Sequence, residues 1–496
     1  MGFFEISEEL LNKTLTENGD LAFVSSGSPC LDYFAQIGGK RNDLRVAASL
    51  FARALNEDKA TAAKLLFYTR DPRKGIGERR LFRFLYNSLA SSYPRLAAPL
   101  LPFLAKYGRY DDLLCVFFTP LEDDAITLIE EQLEKDLEAK KAGQPVSLLA
   151  KWLPSINTSS EETRRYALHL ASKLGLSNAD YRKTLSFLRN GLIVENNLRE
   201  KNYDFDYSFV PSLAMHKYHG AFQRNDEKRF EKYLKQVAKG EAKMNVAVAD
   251  PVSLIHRLRE AAKQKDFDPA YFETAWQEYV KEGGIHKKTL VVRDGSGSML
   301  WGESPCPLEV ADAMSLLTAE RLTGAFHNRF ITFSADPEVV DLTSKTTLLQ
   351  KAKALEAYDD CSNTNIEKVY NLILSVYQSP DFKPEDALDQ ILIISDMEFD
   401  SAVGNPTMST FEQFNEEFSK LGYTRPEIVF WNVASRGKHV PVQKDERGVK
   451  LISGSSKNII DMVSFTDSID PMDFMKSALE PYGEIAEAIP KEVLNE

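Results

Sequence analysis

A chain of 496 residues with 43% apolar and 27% charged side chains is a folded protein of two or three domains, too long for one ordinary core. Its net charge of −12 is unevenly spread: 41 basic and 39 acidic residues lie up to Ile285, and 20 against 34 beyond it. Cys30, Cys115, Cys306 and Cys361 lie far apart with no C-x-x-C pair, which argues against a disulfide scaffold or a zinc knuckle and favours a reducing compartment. Met1-Gly2-Phe3-Phe4-Glu5 lacks the charged and apolar regions of a signal peptide, and Leu96 to Ala105, broken by Pro99 and Pro102, is too short to span a bilayer. A cytoplasmic protein without a membrane partner is expected.

Residues 1–42 are poorly periodic, with a Ser/Gly/Pro turn at 25–29. From Asn42 the pattern turns helical: Ala47, Leu50, Phe51, Ala54 and Leu55 recur at helical spacing, and 59–69, 77–89 and 96–107 repeat the habit. Breaks at Asp71-Pro72, 92–94 and Gly108 separate short helices of the kind that HEAT-like solenoids stack, although no strict sequence period is present. A charged helix follows at 120–143, with Glu131–Lys135 and Asp136–Lys140 as surface pairs. Further helices are predicted at 160–174, 178–190, 213–224, 226–239 and 269–282, with 192–212 irregular. No stretch of 1–283 alternates long enough to require a sheet.

Gly283-Gly284 ends the helical part, and the texture changes to strand–helix alternation. Strands are predicted at 287–293, 329–333, 338–342, 390–396, 427–432 and 449–453, with helices near 308–325, 345–356, 365–378, 411–421 and 470–480. The expected fold class is therefore α followed by α/β. An all-helical HEAT-like domain (1–283) precedes a doubly wound, mainly parallel, Rossmann-like sheet (284–496).

The densest positive segment is Arg70-Asp-Pro-Arg73-Lys74-Gly-Ile-Gly-Glu-Arg79-Arg80 with Arg83. On a helix Arg79, Arg80 and Arg83 share a wedge of about 100°, opposite Leu81, Phe84, Leu85 and Leu89. Guanidinium forks suit phosphate, so Arg70, Arg73, Lys74, Arg79, Arg80 and Arg83 are candidate RNA contacts. Lys151 beside Trp152 is another, since an aromatic next to a cation can stack on a base. The plain alternative is a solvated face paired with Glu78 and Asp71. No histidine spacing suggests a zinc site, and no nucleophile–base pair stands out, so no catalysis is expected.

In the second part, Asp294-Gly-Ser296-Gly-Ser298 follows an apolar run, Ser362-Asn363-Thr364-Asn365 opens a helix-like stretch, and Ile391 to Ile394 ends in Ser395-Asp396. Carboxyl ends of parallel strands are where ligands collect in such sheets. Three hydroxyls and two carboxylates are hard oxygen donors suited to Mg2+ or Mn2+. A Gly/Ser turn that caps a helix is the structural alternative. The pattern D-x-S-x-S, then T, then D resembles the metal-ion-dependent adhesion site of von Willebrand factor A (vWA) domains. That resemblance implies metal ligation by Ser296, Ser298 and Thr364, with Asp294 and Asp396 acting directly or through water. Arg293 departs from it, standing where an apolar residue is usual.

Several stretches, among them Ser25-Ser26-Gly27-Ser28-Pro29, Ala150-Lys151-Trp152-Leu153-Pro154-Ser155 and Tyr207-Ser208-Phe209-Val210-Pro211-Ser212, resemble domain-of-unknown-function family 2828. The helical-then-vWA order is similar to TROVE proteins, the Ro ribonucleoprotein family. That likeness implies a helical ring closed by the vWA domain, with RNA on basic residues. Two functions are expected: an RNA-binding scaffold with a metal-bearing module, or a protein-interaction module whose metal captures a partner's carboxylate.

Overall fold

The computed structural model describes residues 11–16, 21–190, 194–246, 250–265, 267–302, 305–334, 336–359, 366–398, 410–434 and 437–495. Its first part is mainly helical, as the periodicity predicts: Leu44–Glu57, Lys59–Arg70, Arg79–Ser92 and Glu122–Lys141 coincide with predicted helices. The joint between the first two is one residue. Asp58 ends one helix and caps the next, its Oδ1 accepting from Ala60 N at 2.9 Å and Thr61 N at 3.2 Å. Two features depart from expectation. Strands β1 (Lys13–Leu15) and β2 (Leu21–Phe23) form a small antiparallel hairpin, and Pro29–Gln36 is a helix capped by Ser28. Three-residue strands are too short to alternate visibly, and the eight residues 29–36 make about two helical turns, too few to establish a period.

The second part is a sheet of β3 (Thr289–Asp294), β4 (Arg329–Phe333), β5 (Val339–Asp341), β6 (Gln390–Ser395), β7 (Glu427–Asn432) and β8 (Val449–Ser453). Their order is β5-β4-β3-β6-β7-β8, and every pair is parallel except β4–β5. The central strands are apolar on both faces because helices cover both. Val291, Leu392, Val429 and Ile452 pack with the buried helix Pro307–Arg321. Val292, Ile393, Phe430 and Leu451 face Val369, Ile373 and Phe418.

The change of texture near residue 284 is not a boundary of the core. One continuous apolar cluster contains Leu31, Phe34 and Tyr68 together with Ile452, Phe474 and Tyr482. The 29–36 helix and its exit pack on β8 so closely that a Cβ on Gly38 would lie 2.3 Å from Gly454 N. Asn458 reaches back to the turn after Arg70, its amide donating to Pro72 O at 3.1 Å and Gly75 O at 2.9 Å. Among the described residues, no helix is long and apolar enough to cross a membrane.

Candidate metal centre and basic face

β3 and β6 are adjacent and parallel, with Arg293 level with Ile394, so their carboxyl ends bring Asp294, Ser395 and Asp396 together. Ser395 Oγ donates to Asp294 Oδ2 at 2.6 Å, and Ser296 N donates to Asp294 Oδ1 at 2.9 Å. The loop then turns so that Ser296 Oγ and Ser298 Oγ lie 3.0 Å apart. Asp294 and Asp396 are almost wholly buried, while Ser298 is half-buried and Leu300 and Trp301 beyond it are exposed. The strand-end site is thus most exposed along its hydroxyl side. Thr364 lies outside the described residues.

Two carboxylates buried together are costly without a counter-charge. Burial, and after it the negative charge of Asp294, pushes the Asp396 carboxyl up to about 7, and burial also raises Asp294. Asp396 Oδ1 accepts from Glu398 N at 3.3 Å, but Oδ2 is buried with no hydrogen-bond partner among the described residues. An orphaned carboxylate oxygen beside a second carboxylate and two hydroxyls fits a divalent cation. No three His, Cys, Asp or Glu side chains converge on a possible metal position among the described residues. The donor set is hard oxygen, the preference of Mg2+ or Mn2+.

Three neighbours are not among the expected site residues. Ser395 orients Asp294, and only its place before Asp396 hints at that. Met397 holds φ of 68°, a left-handed conformation unusual for a non-glycine residue, immediately after the candidate ligand. Glu398 is fully buried and accepts from Gly437 N at 2.9 Å, with His439 Nε2 3.7 Å away. Arg293 is buried on the face opposite Val292 and meets Asp312.

The basic segment divides in two. Arg70 is buried, its Nε and Nη2 each 2.7 Å from Asp112 Oδ2. Arg83 sits 2.6 Å from Asp112 Oδ1 and 2.8 Å from Asp111 Oδ2. Arg70, the last residue of the 59–70 helix, and Arg83, on the 79–92 helix, thus tie two helices to residues 110–116, which leaves Arg70 buried in an ion pair and Arg83 largely neutralised. The partners are Asp111 and Asp112, not Glu78. Phe84, expected on the apolar side of this helix, is exposed, and Phe82 is buried instead. Arg73 is exposed beside Asp71 at 3.4 Å. Lys74, Arg79 and Arg80 are exposed and form no ion pair among the described residues. Arg109 stacks its guanidinium 3.8 Å from the Trp152 ring centre, with Lys151 Nζ 5.2 Å from the same ring. Burial and the nearby Arg109 and Arg83 charges lower the Arg79 pKa, the sign of crowded cations.

A domain of unknown function (DUF2828) matches residues 16–132 and 161–287, and a second (DUF7788) matches 288–480. An uncharacterized protein, L728, from Acanthamoeba polyphaga mimivirus is 30% identical over 527 residues, covering 95% of this chain and 88% of that protein. The chain belongs to the DUF2828 family. Among solved structures, the Deinococcus radiodurans Ro (RSR) protein aligns over 92% of this chain and 93% of its own, at 12% identity and a TM-score of 0.36.

Proposed function

We propose that the chain is a non-catalytic, cytoplasmic binding scaffold whose strand-end site holds Mg2+ or Mn2+ and captures an acidic group of a protein partner. The observation that carries this reading is the buried Asp396 Oδ2 beside Asp294, with no hydrogen-bond partner among the described residues. Ser296, Ser298 and Asp396 would hold the ion, with Thr364 and Asp294 completing the set. The ion, when bound, would supply an open coordination position for an acidic oxygen. Ser395 and the Ser296 amide keep Asp294 turned inward, and the half-buried Ser298 leaves the hydroxyl side open to an incoming group. Among the described residues at the strand ends, Ser296, Ser298 and Ser395 bond to one another or to Asp294 and to no histidine, which favours binding over hydrolysis.

The deciding experiment is titration of the full chain with Mn2+, followed by the loss of the free-ion paramagnetic signal, in wild type, Asp294→Ala and Thr364→Ala. Weakened binding in both variants supports the assignment; wild-type affinity in both would sink it.

A second reading, RNA binding, is favoured by a separate observation. Lys74, Arg79 and Arg80 are exposed with no ion pair among the described residues, and lie on the same part of the chain as the stacked Arg109–Trp152 pair. Phosphate contacts would make such binding fall steeply with salt, whereas capture of a carboxylate at the metal would fall with chelator.

A further inference from the structure

Arg293 is the wholly buried side chain directly before Asp294. Strand alternation sends it to the face of Val291, where it meets the 307–321 helix. Its Nε lies 2.7 Å and its Nη2 2.6 Å from Asp312 Oδ1. Nη2 also pairs with Asp359, and Nη1 donates to Tyr358 O at 3.2 Å. All three guanidinium nitrogens are thus engaged on two separate segments, which a planar fork can do and an ammonium cannot.

The contact with 358–359 lies against the cation site. Gly295, between Asp294 and Ser296, packs so tightly under this segment that a Cβ there would be 2.8 Å from Tyr358 O and 3.1 Å from Arg293 Nη1. The position of the D-x-S-x-S turn is therefore set by where Arg293 holds residues 358–359.

The second link runs the other way. Asp312 Oδ2 accepts from Arg259 Nη2 at 2.7 Å, and the same nitrogen donates to Ala352 O at 3.0 Å. Arg259 belongs to the helix Pro251–Ala261 of the helical part. Arg259, Asp312, Arg293 and Asp359 form a chain of alternating charge, two cations and two anions, from that helix to the turn carrying Ser296.

We propose that Arg293 is a positioning residue that couples the cation site to the helical part of the chain through Asp312 and Arg259. The inference rests on the cation reading above and adds regulation to it. A partner that shifts the 251–261 helix alters ion affinity, and by linkage a bound ion steadies that helix. An arginine at this strand position, with paired acids on both sides, is then a device for coupling where an apolar residue would serve packing alone.

The test uses the full chain and two variants. Arg259→Met cuts the network at its helical end, far from the ion; Arg293→Lys keeps the charge but loses the fork. Hydrogen exchange is followed at 295–298 and 356–359, and Mn2+ affinity by the free-ion paramagnetic signal. With circular dichroism unchanged, Arg259→Met should speed exchange at both segments and weaken Mn2+ by about fivefold or more, the usual scale of such couplings. Arg293→Lys should exceed it on both readouts. Added Mn2+ should slow exchange in the 251–261 helix of the wild type. Wild-type exchange at 295–298 in folded Arg259→Met overturns the coupling, and so does faster exchange with unchanged Mn2+ affinity. A purely structural network gives one of those two results. Should the wild type bind no Mn2+, the cation reading falls, and this inference falls with it; the exchange data would still report whether Arg259 holds the turn.

Discussion

Ser453 Oγ donates to Phe34 O at 2.8 Å and accepts from Gly38 N at 3.0 Å, so one hydroxyl on β8 ties down the end of a helix formed by residues 29–36. The residues are buried and the contact spans the two parts of the chain. It is one polar expression of a core that ignores the change in sequence texture near residue 284.

Ser453→Ala is expected to leave Phe34 O and Gly38 N unsatisfied and to cost about 1–3 kcal/mol. Urea unfolding of the full chain should show one shifted transition followed alike by tryptophan emission and circular dichroism. A lost signal confined to one part would mean that the two parts unfold separately.

Ion binding should appear as stability. At an Mn2+ concentration of 100 times the dissociation constant, the folded state gains about 2.7 kcal/mol. Asp396→Asn should abolish that gain while leaving the ion-free protein at least as stable, since it removes one of two buried carboxylates. Thermal melts with and without Mn2+ test this; an ion-dependent shift that survives the substitution contradicts it.

His216 provides a pH dependence away from the cation site. Burial, followed by the nearby positive charges of Arg257 and His219, lowers its pKa to about 4 from the usual 6.5. The unfolded chain takes up a proton in that window and the folded chain does not. Stability therefore falls as pH drops from about 6.5 towards 4, by up to about 3 kcal/mol. His216→Gln should flatten this portion of a stability–pH curve; an unchanged slope would assign the effect to other groups.

The arginines should separate into two classes. Arg70→Ala breaks a buried pair and is expected to destabilise by about 3–5 kcal/mol. Arg79→Gln with Arg80→Gln should leave stability within about 0.5 kcal/mol. If the face binds RNA, that pair should also reduce the slope of log affinity against log salt by about 0.7 for each lost single-strand phosphate contact. Identical salt slopes in wild type and variant would remove these two residues from any RNA interface.

The sheet and its ends were readable because each central strand is an apolar run that stops at a polar residue; Val291 to Asp294 and Ile391 to Asp396 are the clearest cases. What reads poorly is anything decided at long range. Asp112 lies 42 residues from Arg70 and 29 from Arg83, while the sequence neighbour Asp71 pairs with Arg73 and with neither of these two. Arg293 fits the same pattern, since its partners Asp312 and Asp359 come from separate connecting segments. The 29–36 helix is illegible for a different reason: its eight residues make about two turns, too few to show a period, and its polar Asp32 and Gln36 are buried with the rest.

The seating of residue 38 against residue 453 also governs how the chain is made. Those positions are 415 residues apart. At a synthesis rate of about 5–20 residues per second, roughly 20–80 s separate the emergence of the first surface from that of its partner. Throughout that interval Leu31, Phe34 and Tyr68 lack the apolar side chains that finally cover them. A nascent chain with such a delayed closure is a natural client for holding chaperones, and slowing the ribosome would prolong its exposure.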